Sequence, residues 1–174
     1  MVTPNPRDES CKFSKTNHTP EFVISSNCRS ATCVSEPNAL LGWGKCANPT
    51  TTFAVRVSKL SNVLYLGFSL PDWPIEDPTN FEKGGWFIFG SNTSLFERGQ
   101  RGPTQGTPLK EGSVVSVEKD SQTRSLRFRI DGAHLADVDG HPFGWRQTGL
   151  SQEEFDSLVG AIEMLKGGAV DILE

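Results

Sequence analysis

The stretch EGSVVSVEKDSQTRSLRFRIDG, residues 111 to 132, decides the fold class of this chain. In its second half, Leu126, Phe128 and Ile130 alternate with polar residues, two of which are arginines. This period of two is typical of a β-strand with one buried and one exposed face, whereas a helix would scatter the charges around its circumference. A polar break separates this strand from the β-like run SVVSV before it. The stretch therefore predicts a β-hairpin.

The rest of the chain has a similar texture from Glu21 onward. Gly, Pro, Asn and Ser interrupt short apolar runs at intervals of roughly eight to fifteen residues. Residues 53 to 58 alternate between large apolar and smaller or polar side chains, which predicts a strand with one buried face. Residues 62 to 70 are apolar on both faces, and residues 84 to 90 are aromatic and bounded by glycine, so both also read as strands. This pattern predicts an all-β sandwich or barrel.

The segment from residue 150 to residue 168 departs from the pattern. Ser151 and Glu154 have the spacing of a capping box, in which each side chain bonds to the backbone N–H of the other residue. The apolar residues that follow at helical spacing are Phe155, Leu158, Val159, Ile162 and Leu165. Taken alone, these residues predict an amphipathic helix that ends at Gly167.

The hairpin resembles the most recognisable part of the SPRY domain family. Gly112 holds the first glycine of the family's pattern, and Asp120 holds the acidic position at its usual spacing. Phe128, Asp131 and Gly132 fall at the remaining positions without a gap. An Asp at the first turn can hydrogen-bond the turn's backbone, and Asp-Gly supplies the positive φ that ends the second strand.

The resemblance continues in order through FAVRVSKLSNVLYLGFS, GGWFIF and LVGAIEMLKGGAVDIL, and it covers about residues 21 to 174. Ser113 and Ser116 stand where the family commonly has Asp and Gly, which indicates a divergent member. The resemblance implies a bent β-sandwich of two antiparallel sheets. It also implies a short helical turn over residues 151 to 157, then strands near 158 to 164 and 169 to 174. Residues 1 to 20, rich in Pro, Asn, Thr, Ser and charge, are predicted to be a flexible leader.

Domains of this family generally act as protein-interaction modules, so the resemblance implies a non-catalytic adaptor or a substrate-recognition part of a larger assembly. The common nucleophile, phosphate-binding and zinc-protease motifs do not occur in the sequence, which favours a protein without catalytic activity, cofactor or metal. The alternative is a carbohydrate-binding, lectin-like module that would use Trp73 or Trp145 as a stacking platform.

Three loops carry the candidate partner-binding residues. In the loop over residues 70 to 85, Trp73 lies between two prolines, which pre-order it as an interface anchor. The loop over residues 91 to 106 presents two arginines suited to carboxylate or phosphate groups, and the loop over residues 140 to 149 pairs a tryptophan with an arginine. The candidate residues are Asp72, Trp73, Arg98, Gln100, Arg101, Trp145 and Arg146.

Each candidate also has a structural interpretation. Trp73 can fold back to plug one end of the sandwich, and the two arginines of the second loop can be no more than solvated charges. The functional interpretation predicts that a protein or peptide partner, with an acidic or polar segment, docks on these loops.

Composition and charge limit the other function classes. The chain has 174 residues and a net charge of −4, which argues against general affinity for nucleic acid or anionic lipid. No apolar run predicts a membrane span or a signal peptide, so we expect an intracellular, monomeric protein. The cysteines, Cys11, Cys28, Cys33 and Cys46, are expected to be free thiols. A metal site built from three of them and His18 is a weaker alternative.

Overall fold

The computed structural model of the protein describes residues 11–34, 41–73 and 78–173. Within these ranges the chain is built from β-strands, one short α-helix and one 3-10 helix. The strands, in chain order, are β1 (Phe13–His18), β2 (Phe22–Ile24), β3 (Ser30–Cys33), β4 (Gly42–Cys46), β5 (Thr52–Lys59), β6 (Leu64–Ser69), β7 (Gly85–Phe89), β8 (Ser94–Glu97), β9 (Gln100–Thr104), β10 (Val114–Asp120), β11 (Ser125–Ile130), β12 (Ala133–His134), β13 (Trp145–Gln147), β14 (Val159–Met164) and β15 (Ala169–Ile172). The helix α1 is Gln152–Ser157, and the 3-10 helix is Pro78–Gly84.

The strands form two antiparallel sheets. The first sheet has the order β1-β4-β14-β6-β7-β8-β9, and the second has the order β12-β11-β10-β5-β15-β3-β2, with β13 also paired to β11. These two sheets confirm the predicted all-β sandwich of two antiparallel sheets.

No helix among the described residues is long and apolar enough to cross a membrane.

The core lies between the sheets and follows the alternation of the sequence. Phe53, Val55 and Val57 of β5 are buried, and Phe53 approaches Phe68 of the first sheet with 6.2 Å between ring centroids. Phe128 is fully buried, whereas Arg127 beside it faces the outer side of the second sheet. Full burial of such a side chain contributes roughly 1.5–3 kcal/mol to folding.

The hairpin that decided the fold class has the predicted geometry. β10 and β11 pair in register, with Val117 opposite Phe128. The carboxylate of Asp120 accepts hydrogen bonds from the backbone N–H groups of the turn, at 2.9 Å from Gln122 N. Asp131 and Gly132 have φ values of 49° and 78°, which confirms the predicted positive-φ turn after β11.

The segment after Leu150 divides as the family resemblance implied. The capping box of Ser151 and Glu154 is present, and α1 ends at Ser157. The next residues form β14, which pairs with β4 on one side and β6 on the other. It is buried on both faces, since Ile162 packs in the core between the sheets and Ala161 packs against Phe81 of the 3-10 helix. The single long helix suggested by the apolar spacing is therefore wrong. Gly160 of β14 lies against the ring of Phe53, where an added Cβ would overlap it.

The prediction of a flexible leader over residues 1 to 20 is wrong for residues 11–20, which the structure describes. Residues 1–10 lie outside the described residues, but Phe13–His18 form β1 at the edge of the first sheet. The segment pairs with β4, and its Phe13 is buried and packs edge-on against Phe22, at 5.6 Å between ring centroids. The sandwich therefore begins before the predicted boundary at residue 21.

One end of the sandwich, here called the rim, carries residues 70–73, 98–99 and 121–124 and the helix α1. Lys119, at the end of β10, joins the two sheets there by donating hydrogen bonds to the carbonyl oxygens of Asp156 and Leu158, at 3.0 and 3.4 Å. The turn over residues 165–168 between β14 and β15 lies at the opposite end.

Candidate functional site

The Trp73 loop starts from a buried lysine. Lys45 of β4 donates hydrogen bonds to the carbonyl oxygens of Leu70 and Pro71, at 3.0 and 3.3 Å. Burial lowers the pKa of Lys45 to about 8, and the negative charge of Asp72 opposes that shift. Asp72 is exposed at the start of the loop. The next residue but one, Pro74, lies outside the described residues.

Trp73 is folded back against its own loop. Its indole N–H donates a hydrogen bond to the carbonyl oxygen of Asn80 at 3.2 Å, and its ring packs on Gly84, where a Cβ would overlap ring atoms. The side chain is half-buried as a result. The structural interpretation of Trp73 as a partial plug therefore has direct support, and a partner would meet an already positioned side chain.

Arg98 is held between two tryptophans. It lies at the tip of the β8–β9 hairpin, where Arg98 and Gly99 have φ values of 52° and 84°. Its guanidinium carbon is 5.4 Å from the ring centroid of Trp73 and 5.7 Å from that of Trp86. Its Nε donates a hydrogen bond to the carbonyl oxygen of Lys83 at 3.0 Å. Arg98 is thus exposed but positioned by cation–π contacts, which is more order than a merely solvated arginine has.

Gln100 and Arg101 follow at the start of β9 and are exposed. Arg101 makes neither an ion pair nor a side-chain hydrogen bond with any residue in the described part of the chain. It is therefore the cation of this hairpin that is available to a ligand.

Arg146 joins the third loop to the second. Trp145 faces the outer side of the second sheet, so Arg146, the next residue of β13, faces the first sheet. There its Nε forms an ion pair with the carboxylate of Glu97, at the end of β8. Glu97 directly precedes Arg98 along the chain. Glu97 could not be selected from the sequence, because its contact with Arg146 depends on two strands in different sheets.

Three of the candidate residues, Trp73, Arg98 and Arg146, are therefore connected, and Asp72, Gln100 and Arg101 are their near neighbours along the chain. Direct contacts and chain neighbours connect Trp73 to Arg98, Arg98 to Glu97, and Glu97 to Arg146. The rim surface is defined by Asp72, Trp73, Glu97, Arg98, Gln100, Arg101 and Arg146.

Trp145 lies apart from the rim surface. It is on the outer face of the second sheet, where 37% of it is exposed, and the guanidinium carbon of Arg127 is 4.5 Å from its ring centroid. The sequence placed Trp145 and Arg146 together, but the alternation of β13 sends them to opposite faces. Trp145 and Arg127 instead line a groove of about 400 Å³ beside β12 and β13.

The cysteines do not form a metal site with His18. Among the described residues, the one group of three potential ligands close enough to share an ion is Asp137, Asp139 and His141. Asp137 accepts hydrogen bonds from the backbone N–H groups of the other two, and these bonds lower the pKa of its carboxyl group. This group therefore reads as a turn, and the alternative of three cysteines with His18 is wrong.

Comparisons with known proteins identify the architecture. No sequence family profile matches the chain, and no curated protein matches it by sequence. Among solved structures, the SPRY domain of human HERC1 has a TM-score of 0.69 at 15% identity, over 93% of this chain and 97% of that one. The TRIM65 PSpry domain has a TM-score of 0.65 at 16% identity, over 95% of this chain and 92% of that one. A further human SPRY domain has a TM-score of 0.65 at 12% identity, over 87% of this chain and 94% of that one.

Proposed function

We propose that this domain, whose fold is that of a divergent SPRY domain, is a non-catalytic module that binds a peptide or protein through the rim surface. It acts as an adaptor or as the recognition part of a larger assembly. The observation that carries the proposal is the set of contacts through which Trp73, Arg98, Glu97 and Arg146 bring three loops of two sheets into one surface. Loops positioned by a rigid sandwich are where binding residues concentrate.

The chemistry of the rim surface favours an acidic or polar peptide segment. The guanidinium group of Arg101 has no partner among the described residues, and Arg98 adds a second positive charge beside Trp73. The net charge of the chain is −4, but local cations steer an acidic ligand over about one Debye length, roughly 8–10 Å in physiological salt. Tryptophan and arginine are also the residues that most often dominate interface energies.

The rest of the proposal is a monomeric protein inside the cell that binds neither nucleic acid nor membrane. The negative net charge supports the absence of binding to phosphate backbones. The four buried free thiols support a reducing compartment.

The carbohydrate-binding alternative has less support. A stacking platform for a sugar needs an exposed aromatic face. One face of Trp73 packs on Gly84, and the guanidinium group of Arg98 lies over its ring. Trp145 is more exposed, but Arg127 lies over its ring in turn.

The test is a peptide-display selection against the domain, followed by affinity measurements with Arg101→Glu. Lys166→Glu is the matched control, because Lys166 is also exposed but lies in the turn at the opposite end of the sandwich. We expect Arg101→Glu to weaken selected peptides at least about tenfold, or about 1.4 kcal/mol, and Lys166→Glu to leave them unchanged. Equal affinities for the two variants would show that the rim surface is not the binding site. A selection without peptides, together with saturable binding on a glycan array, would favour the lectin-like alternative.

A further inference from the structure

The groove beside Trp145 lies at the edge of the second sheet and adjoins the rim surface, because Arg146 lines it as well. β12 pairs with residues 129 and 130 of β11, and β13 pairs with residues 125 to 127. The chain between β12 and β13 leaves the sheet and is anchored by Leu135 and Phe143, which are buried. The gap between the two short strands is a groove of about 400 Å³ that Arg127, His134 and Trp145 line.

Arg127 has no ion-pair partner within 4.0 Å among the described residues. Its neighbours across the sheet are Glu118 on β10 and Trp145 on β13. The carboxylate of Glu118 pairs instead with Arg129, at 4.0 Å from Nη2. No described residue forms an ion pair or a side-chain hydrogen bond with Arg127. Its one specific contact is the cation–π interaction with Trp145.

The cation–π contact with Trp145 leaves the N–H donors of the Arg127 guanidinium group without a hydrogen-bond partner among the described residues. A guanidinium group over an aromatic ring directs its N–H groups outward in its own plane, where they match the two oxygens of a carboxylate. His134 lines the same groove, is exposed, and offers a further ring nitrogen. Pro142 and the part of Trp145 that Arg127 does not cover supply apolar surface for the carbon atoms that carry a carboxylate.

We infer that the groove between β12 and β13 is a seat for a carboxylate group of a peptide partner, held by Arg127 against Trp145. The carboxylate comes from an aspartate or glutamate side chain or from the C-terminus of the peptide. The inference rests on the proposed function and specifies the chemistry of the partner. β13 carries both Arg146 of the rim surface and Trp145 of the groove, so one ligand can reach both sites. A single uncompensated arginine suits a carboxylate better than a phosphate dianion, which needs more positive charge.

The test uses an N-acetylated, C-amidated hexaglutamate peptide as the probe, with the hexaglutamine peptide as its neutral counterpart. Hexaglutamine with a free C-terminus forms a third arm, which distinguishes a terminal carboxylate from side-chain carboxylates. Binding is followed in 1H–15N spectra by the indole N–H of Trp145 and the Nε–H of Arg127. We expect saturable shifts of both signals with at least one carboxylate-bearing peptide and none with the neutral peptide.

Two variants separate recognition from general attraction. Arg127→Gln removes the guanidinium group, and Arg56→Gln removes an exposed arginine from β5 of the same sheet. We expect Arg127→Gln to weaken the probe at least about tenfold, Arg56→Gln to have no such effect, and Arg127→Lys to recover part of the binding. Thermal unfolding of each variant checks the fold. If Arg127→Gln does not fold, the inference is tested by the affinity of Arg127→Lys and by the shifts of Trp145 and Arg127 in the wild-type spectra.

Three results would overturn the inference. These are the absence of shifts at Trp145 and Arg127, an equal loss in Arg56→Gln, and a tighter response to a phosphoserine peptide than to hexaglutamate. The proposed function fails on a different result, since it depends on the effect of Arg101→Glu. Shifts confined to Arg98 and Arg101 would support the rim surface while removing the groove from the interface.

Discussion

The ammonium group of Lys45 donates a hydrogen bond to the carbonyl oxygen of Leu70 across 3.0 Å, and so fixes the start of the loop that carries Trp73. A charged lysine in a buried position costs free energy even when it is hydrogen-bonded. The loop is therefore held by a group whose charge depends on pH.

Because of Lys45, we expect the free energy of unfolding of the protein to rise at alkaline pH. Its pKa is lowered from 10.5 to about 8 by burial, so between these values the unfolded chain binds more protons than the folded one. The free energy of unfolding then increases with pH. Urea unfolding at pH 8 and pH 9.5 should show the wild type gaining up to about 2 kcal/mol relative to Lys45→Met. Parallel changes in the two proteins would contradict this assignment.

Tyr65 predicts the opposite trend at higher pH. Burial raises its pKa to about 12, so the folded state favours the neutral phenol. Stability from this group is complete below pH 10 and is lost as pH rises toward 12. Tyr65→Phe should therefore lose less stability than the wild type between pH 10 and pH 11.5. If the wild type and Tyr65→Phe lose the same stability between pH 10 and pH 11.5, the pKa of Tyr65 is not raised.

Truncating Phe128 tests how much the core contributes to stability. It is fully buried between the sheets, so Phe128→Ala should lower the free energy of unfolding by roughly 3–5 kcal/mol. Arg127→Ala is the matched control on the opposite face and should change stability by less than about 1 kcal/mol. An unchanged melting temperature for Phe128→Ala would disprove the register of the hairpin.

Gly84 offers a way to displace Trp73 without removing it. A Cβ at residue 84 would overlap the Trp73 ring, so Gly84→Ala should cost about 1–3 kcal/mol and shift the tryptophan emission toward longer wavelength. The same substitution in a Trp73→Phe background should leave the emission unchanged. If the shift persists in that background, it comes from another tryptophan.

We expect Cys11 and Cys46 to be the thiol pair that oxidises most readily. Their sulfur atoms are 2.7 Å apart, and the hydrogen bond to Cys46 lowers the pKa of Cys11. Thiol titration of the denatured protein under non-reducing conditions should count four groups, and treatment with a small disulfide oxidant should first remove two. The bond would close a long loop and stabilise the fold by about 2–4 kcal/mol. Cys11→Ser should abolish both effects; a pairing that survives this substitution involves other cysteines.

The sequence predicted the parts of the fold that local chemistry determines. The alternation in β11, the capping box of Ser151 and Glu154 and the Asp131-Gly132 turn depend on neighbouring residues, and all three are present. β14 was misread from the residues alone, because apolar side chains buried on both faces of a central strand fit helical spacing as well.

The site was harder to predict, because it depends on pairings between distant strands. The three loops could be named from their composition, but the ion pair between Glu97 and Arg146 requires knowledge of both sheets. The opposite directions of Trp145 and Arg146 depend on the register of β13 against β11. Arg127 is distinguished only by the pairing of its neighbour Glu118 with Arg129.

The position of the rim has a practical consequence for handling the protein. The chain enters the described domain at Cys11, next to Cys46, and leaves it at Leu173, next to Ala54, and both places are close to the rim. An affinity tag, a fusion partner or a sensor-chip linkage joined to the described domain at Cys11 or at Leu173 would therefore crowd the proposed docking surface. A single attachment point in the turn over residues 165–168 would present the rim surface to the ligand instead.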